Sequence, residues 1–141
     1  MVEIHGWITL RYSDYHSQDG EQASFVYAFK QFLLAHFDWV LSHQHGFLTQ
    51  YNGLACFTLN AQHNHPDEPF YPLEIFTWAA KNSTGSYGML YFHDDEDAVH
   101  QNVFQVFVLK RGKLTRVNDP FLSPYMEEVE KEYDESNPPK D

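Results

Sequence analysis

The chain has one cysteine, Cys56, in 141 residues. That excludes an intrachain disulfide framework and any cysteine-based zinc finger. Inside LACFTL the thiol reads as a small buried hydrophobe. Basic side chains are also scarce: nine Lys and Arg stand against 20 Asp and Glu, a net charge of −11. This balance opposes nucleic-acid binding, which needs a basic surface to displace counterions from phosphates. No apolar run approaches the roughly 20 residues of a membrane span. The opening MVEIHGWITLRY has neither the basic region nor the long apolar run of a signal peptide, so a reducing cytoplasm is the expected location. There is no G-x-S-x-G elbow, and Gly85-x-x-Gly88 leads into a strand rather than opening a helix. Neither nucleophilic catalysis nor a phosphate loop finds support.

What is present is apolar and aromatic. At 43% apolar and 17% aromatic residues, the chain is too hydrophobic to stay disordered and long enough for an ordinary core. One domain over residues 1–134 is expected, with a disordered acidic tail over 135–141.

Residues 2–11 alternate, with Val2, Ile4, Gly6, Ile8 and Leu10 on one face and Glu3, His5, Trp7, Thr9 and Arg11 on the other. Period two over this length predicts a strand with one buried face. A helix is predicted to begin near Asp19, with Gln22 as a capping-box partner. Val26, Phe29, Leu33, Phe37 and Val40 continue it at helical spacing, Phe25 and Phe32 widen the stripe, and Gly46 is the expected left-handed cap. Asn52-Gly53 between apolar runs predicts a two-residue hairpin turn. Pro72 suits the first turn of a second helix carrying Leu73, Phe76 and Ala80. Apolar runs at 88–92 and 103–109 predict two more strands.

The expected fold is therefore α+β in the order βαββαββ. A single, mostly antiparallel sheet of about five strands carries two amphipathic helices on one face. A short acidic helix or tail over 125–133 follows.

Charge is concentrated in two places. Asp94, Asp95, Glu96 and Asp97 are four consecutive carboxylates that must face water or a cation. Residues 118–141 hold eight further acids and two lysines. An acidic surface steers basic proteins toward it. Four consecutive acids at a hairpin tip diverge, and no calcium-loop spacing is present, so metal binding there is disfavoured against a solvated turn or a docking surface. His63 and His65, with Asp67, are the best candidates for a zinc site, although they need a further ligand and sit in a predicted loop. Lys110, Arg111, Lys113 and Arg116 form one basic cluster, flanked by neutralising carboxylates, in which Arg111 is expected to ion-pair and fix a turn. In DPFLSP, Asp119 suits a turn, and Phe121 and Leu122 are expected to dock on the sheet edge or core.

The SYG-x-LY-x-x-DDED block, the RGKL turn and the DPFLSP run resemble the immunity protein 7 family of bacterial polymorphic toxin systems. The resemblance is strong over residues 86–124 and looser over Gly6-Trp7 and 60–78. It implies a small cytoplasmic protein, encoded beside a toxin, that neutralises it by binding. The implied partner is a cognate toxin, basic in character, for which a nuclease is one example. Neither nucleic acid nor membrane is expected as a partner, and no cofactor is implied. With the charge pattern, this makes Asp94, Asp95, Glu96, Asp97, Tyr87, Tyr91 and Trp7 the candidate partner-binding residues, carboxylates pairing with the toxin's cations and aromatics supplying desolvated anchors. The alternatives are a small metal-dependent hydrolase using His63, His65 and the acidic turn, or a cytoplasmic interaction module unrelated to toxins. Exposed strand edges permit a dimer, and nothing in the sequence requires one.

Overall fold

A computed structural model describes residues 1–15, 19–42, 44–63 and 72–140. Within them the chain runs β1 (Val2–Leu10), α1 (Asp19–His36), α2 (Asp38–Ser42), β2 (Gly46–Tyr51), β3 (Leu54–His63), α3 (Leu73–Asn82), β4 (Tyr87–Asp94), β5 (Gln105–Lys110), β6 (Lys113–Asn118) and α4 (Tyr125–Glu128). The strands form one antiparallel sheet in the order β2-β3-β1-β4-β5-β6. The expected α+β class and the helix-on-sheet layering hold.

The alternation of β1 is reproduced in its burial: Val2, Ile4, Ile8 and Leu10 are fully buried. They sit at the centre of the sheet, because β1 pairs with both β3 and β4. On the same face β3 adds Ala55, Phe57, Leu59 and Ala61, and α1 and α3 seal it with Phe25, Phe29, Leu33, Ile75, Phe76 and Ala79. Phe29 meets Phe57 edge-on, with centroids 5.4 Å apart. Trp78 is stacked between Phe25 and Phe32. Edge and offset ring contacts of this kind add to the stabilisation from area burial.

Several local expectations are corrected. The first helix breaks at Phe37, which donates its N–H to the Leu33 carbonyl and accepts from Val40 N–H, so a short α2 follows. Gln22 reaches the end of β1 instead of its own helix start: it accepts from Tyr12 N–H at 2.8 Å and donates to the Leu10 carbonyl at 2.9 Å. The left-handed residue after α2 is Gln44 (φ 60°), and Gly46 opens β2. Glycine is needed there for space, since a Cβ would stand 2.5 Å from Val40 Cγ1. Asn52 and Gly53 do form the hairpin turn, both at positive φ. Arg111 and Gly112 form a second turn of the same kind, with φ of 48° and 72°. That turn is held by backbone conformation, and Arg111 makes no ion pair among the described residues. It leads into β6, a sixth strand beyond the five expected. Cys56 is half-buried on the face away from the helices rather than in the core. The C-terminal helix shrinks to four residues and is interrupted, with non-helical angles at Met126 and Glu127. It contributes no buried residue, so no packing of an apolar face supports a longer helix.

Candidate partner-binding face

Neither α1 nor α3 covers the second face of the sheet; only at the end of β4 does Tyr125, the first residue of α4, stack on His93 of that face. Side chains directly opposed across antiparallel strands share a face, so the strand register defines this surface row by row. One row crosses all six strands: Phe47, Thr58, Trp7, Met89, Val108 and Thr115. The next holds Asn60, His5, Tyr91, Val106 and Val117. Trp7 is 39% exposed, Tyr87 43% and Phe47 55%. Trp7 and Tyr87 meet edge-on with ring centroids 6.0 Å apart, which fixes both rings. Lone exposed apolar residues are ordinary; here several exposed rings lie on one face of the sheet.

Trp7, Tyr87 and Tyr91 thus share one surface. Their fourth companion, Phe47, escaped sequence reasoning because GFLTQY shows only a brief alternation; the Asn52-Gly53 register was the available signal.

The four acids do not behave as one solvated tip. They begin at Asp94, the last residue of β4, and run into the loop that follows; Asp94 is seven residues, or roughly 23 Å, from Tyr87 at about 3.3 Å per residue. Asp94 is only 8% exposed and accepts from Glu96 N–H at 2.9 Å. This corrects the expectation that all four face water, and the physical reason is that a carboxylate tolerates burial once backbone donors satisfy it. Asp97 accepts from Val99 and His100 N–H groups at 2.8 and 2.7 Å, and these bonds hold its carboxyl below the usual range. Asp94 and Asp97 therefore shape the loop between β4 and β5. Asp95 is exposed and pairs with the amino group of Met1, which lowers its pKa. Glu96 is exposed as well.

Asp119 is the most heavily used carboxylate in the described structure, and only 3% exposed. Its Oδ1 accepts from Phe121 N–H at 3.0 Å and Tyr91 Oη at 3.3 Å. Its Oδ2 accepts from Leu122 N–H at 2.7 Å and Ser123 Oγ at 3.2 Å. Burial alone would raise this acid, but the four donors prevail and hold it low. The same burial, and then the Asp119 charge, raises the Tyr91 phenol. The turn that Asp119 organises carries Phe121 and Leu122 outward, 74% and 45% exposed, instead of into the core. The DPFLSP motif was visible in sequence; which way its apolar pair faced was not, because only the carboxylate's partners decide that.

His5 sits within the aromatic face between Glu3 and Asn60, with both ring nitrogens in hydrogen bonds of 2.8 Å. Burial works against its charged form, but Glu3 and Asn60 outweigh it and raise the imidazole above 6.5. His63 packs against Trp39 and His45. His65 and Asp67, the other members of the suggested zinc set, lie outside the described residues. Among the described residues no group of three His, Cys, Asp or Glu side chains is placed to hold a metal ion. No helix among them is long and apolar enough to cross a membrane.

Comparison with known proteins adds one finding. No curated protein and no solved structure matches the chain. The sequence model of the family described as Immunity protein 7 matches residues 1–131, nearly the whole chain and well beyond the 86–124 block. The chain belongs to the immunity protein 7 family.

Proposed function

We propose that this protein binds a cognate bacterial toxin domain and neutralises it by occupancy, with no reaction of its own. Family membership over residues 1–131 carries the reading. The uncovered sheet face supports it: an aromatic patch centred on Trp7, Tyr87 and Phe47 offers rigid anchors with little side-chain entropy to lose. Tyr91 extends the patch toward the acidic end of β4. There Asp95 and Glu96 remain exposed, while Asp94 and Asp97 act by shaping the loop that presents them. With a net charge of −11, the partner is a basic protein, drawn in by long-range attraction and retained by apolar contact.

The test is co-expression of the toxin domain encoded next to this gene, with and without this protein, in a bacterial host. The expected result is restored growth and a stoichiometric complex on co-purification. Growth inhibition that persists despite abundant folded immunity protein would contradict the reading.

A further inference from the structure

The exposed pair Phe121 and Leu122 stands out from the protein's other surface apolar residues, because the backbone beneath it is pinned by a buried charge. Both N–H groups are bonded to the Asp119 carboxylate, and the turn is tied to the body of the domain at three further points. Tyr91 Oη donates to Asp119 at 3.3 Å, Phe104 N–H donates to Ser123 Oγ at 2.9 Å, and Asp119 N–H donates to the Phe104 carbonyl at 3.2 Å. The chain leaving the turn is fixed as well. Tyr125 N–H donates to the Asn102 carbonyl at 2.7 Å, and its ring stacks on buried His93 with centroids 4.5 Å apart. An exposed apolar knob on such a base has surrendered its backbone freedom before any partner arrives, which lowers the cost of using it as an interface anchor.

We infer that Phe121 and Leu122 form a preformed plug that enters an apolar pocket on the toxin, and that this pocket is rimmed by lysine or arginine. The inference rests on the reading of this protein as a toxin-binding one and names the contact that sets its specificity. Two observations point to that occupant. The plug is continuous with the proposed docking face, because the carboxylate beneath it is bonded to Tyr91 of that face. The charge around it is net negative: beyond Tyr125, a depression lined by Met1, His93, Asp95, Asn102, Met126 and Glu130 carries two carboxylates against the Met1 amino group that pairs with Asp95, and residues 118–141 hold eight acids against two lysines. An acidic collar beside an apolar plug complements a basic rim around an apolar socket.

The experiment titrates the full-length protein against its cognate toxin domain. Phe121→Ala with Leu122→Ala is expected to weaken binding at least thirtyfold and to leave the melting temperature within a few degrees, since both side chains lie largely outside the core. Asp119→Asn, which takes one acceptor oxygen from the turn, is expected to weaken binding three- to tenfold by loosening the plug. Should the double variant lose its fold, Phe121→Lys alone repeats the test at the tip and is expected to lose at least tenfold. Affinity unchanged in a folded plug variant overturns the plug and leaves the toxin-binding reading standing. No binding by the unsubstituted protein overturns both.

Discussion

Val2, Ile4, Ile8 and Leu10 are sealed beneath two helices, whereas Glu3, His5, Trp7 and Thr9, one residue along the same strand, face outward from the surface that neither α1 nor α3 covers. The two faces share every backbone hydrogen bond of the sheet and differ only in side chains. That difference separates two tasks. The helix-covered face supplies the hydrophobic free energy of folding, and the open face is left to hold aromatic rings at fixed positions. Changes on one face should therefore move stability, and changes on the other should move association.

The largest expected effect tests the covered face. Phe57→Ala removes a fully buried ring that packs on Phe29, and should destabilise folding by about 3–5 kcal/mol, measured by denaturant unfolding. At a temperature where the variant remains folded, toxin affinity should be nearly unchanged; a parallel collapse of affinity would erase the division between faces. Next in size is Trp7→Ala. It should cost about 2 kcal/mol or more in binding, read by titration calorimetry, and less than half that in stability.

Neutralising Asp95 and Glu96 together, as Asn and Gln, should act more weakly and differently. Association should slow severalfold at low salt and lose part of its salt dependence, with little change in the dissociation rate. Adding Asp94→Asn and Asp97→Asn should disturb the loop itself, because those two carboxylates hold backbone N–H groups. A thermal shift from the second pair and not from the first would sharpen the distinction between the two kinds of acid.

Much of this was legible in advance, for physical reasons that can be named. Strict alternation in β1 fixed the two faces, since a one-residue slip would invert every side chain. Asn52-Gly53 located a hairpin because few other dipeptides accept positive φ at both positions. The apolar stripe of α1 identified the helix that covers the sheet. β6 was illegible as a strand because an edge strand with a solvated outer surface has no apolar demand: KLTRVN reads as polar connection. The acidic run misled for a related reason. Composition reports charge, but whether a carboxylate faces water or caps a turn depends on donors brought in by the fold. Asp119 shows the same point from the other side, since its four donors come from Tyr91 and from the turn it organises.

The smallest expected effect is in the pH response of the open face. His5 lies above 6.5 in the folded protein, held there by Glu3 and Asn60. A raised pKa stabilises the fold fully below 6.5 and loses that contribution as pH rises through the folded value. Because both side chains of the pair are partly exposed, the amount is below about 1 kcal/mol. An NMR titration of the His5 ring should place its midpoint above 6.5, and Asn60→Ala should move it down.

Side-chain footprinting with hydroxyl radicals, on the free protein and on its complex with the toxin domain, tests the central claim most directly. Trp7, Phe47 and Tyr87 on the open face should become protected in the complex, while Tyr27, 66% exposed on α1 of the covered face, should react as before. Protection of Tyr27 with Trp7, Phe47 and Tyr87 unchanged would place the toxin on the helices and contradict the account.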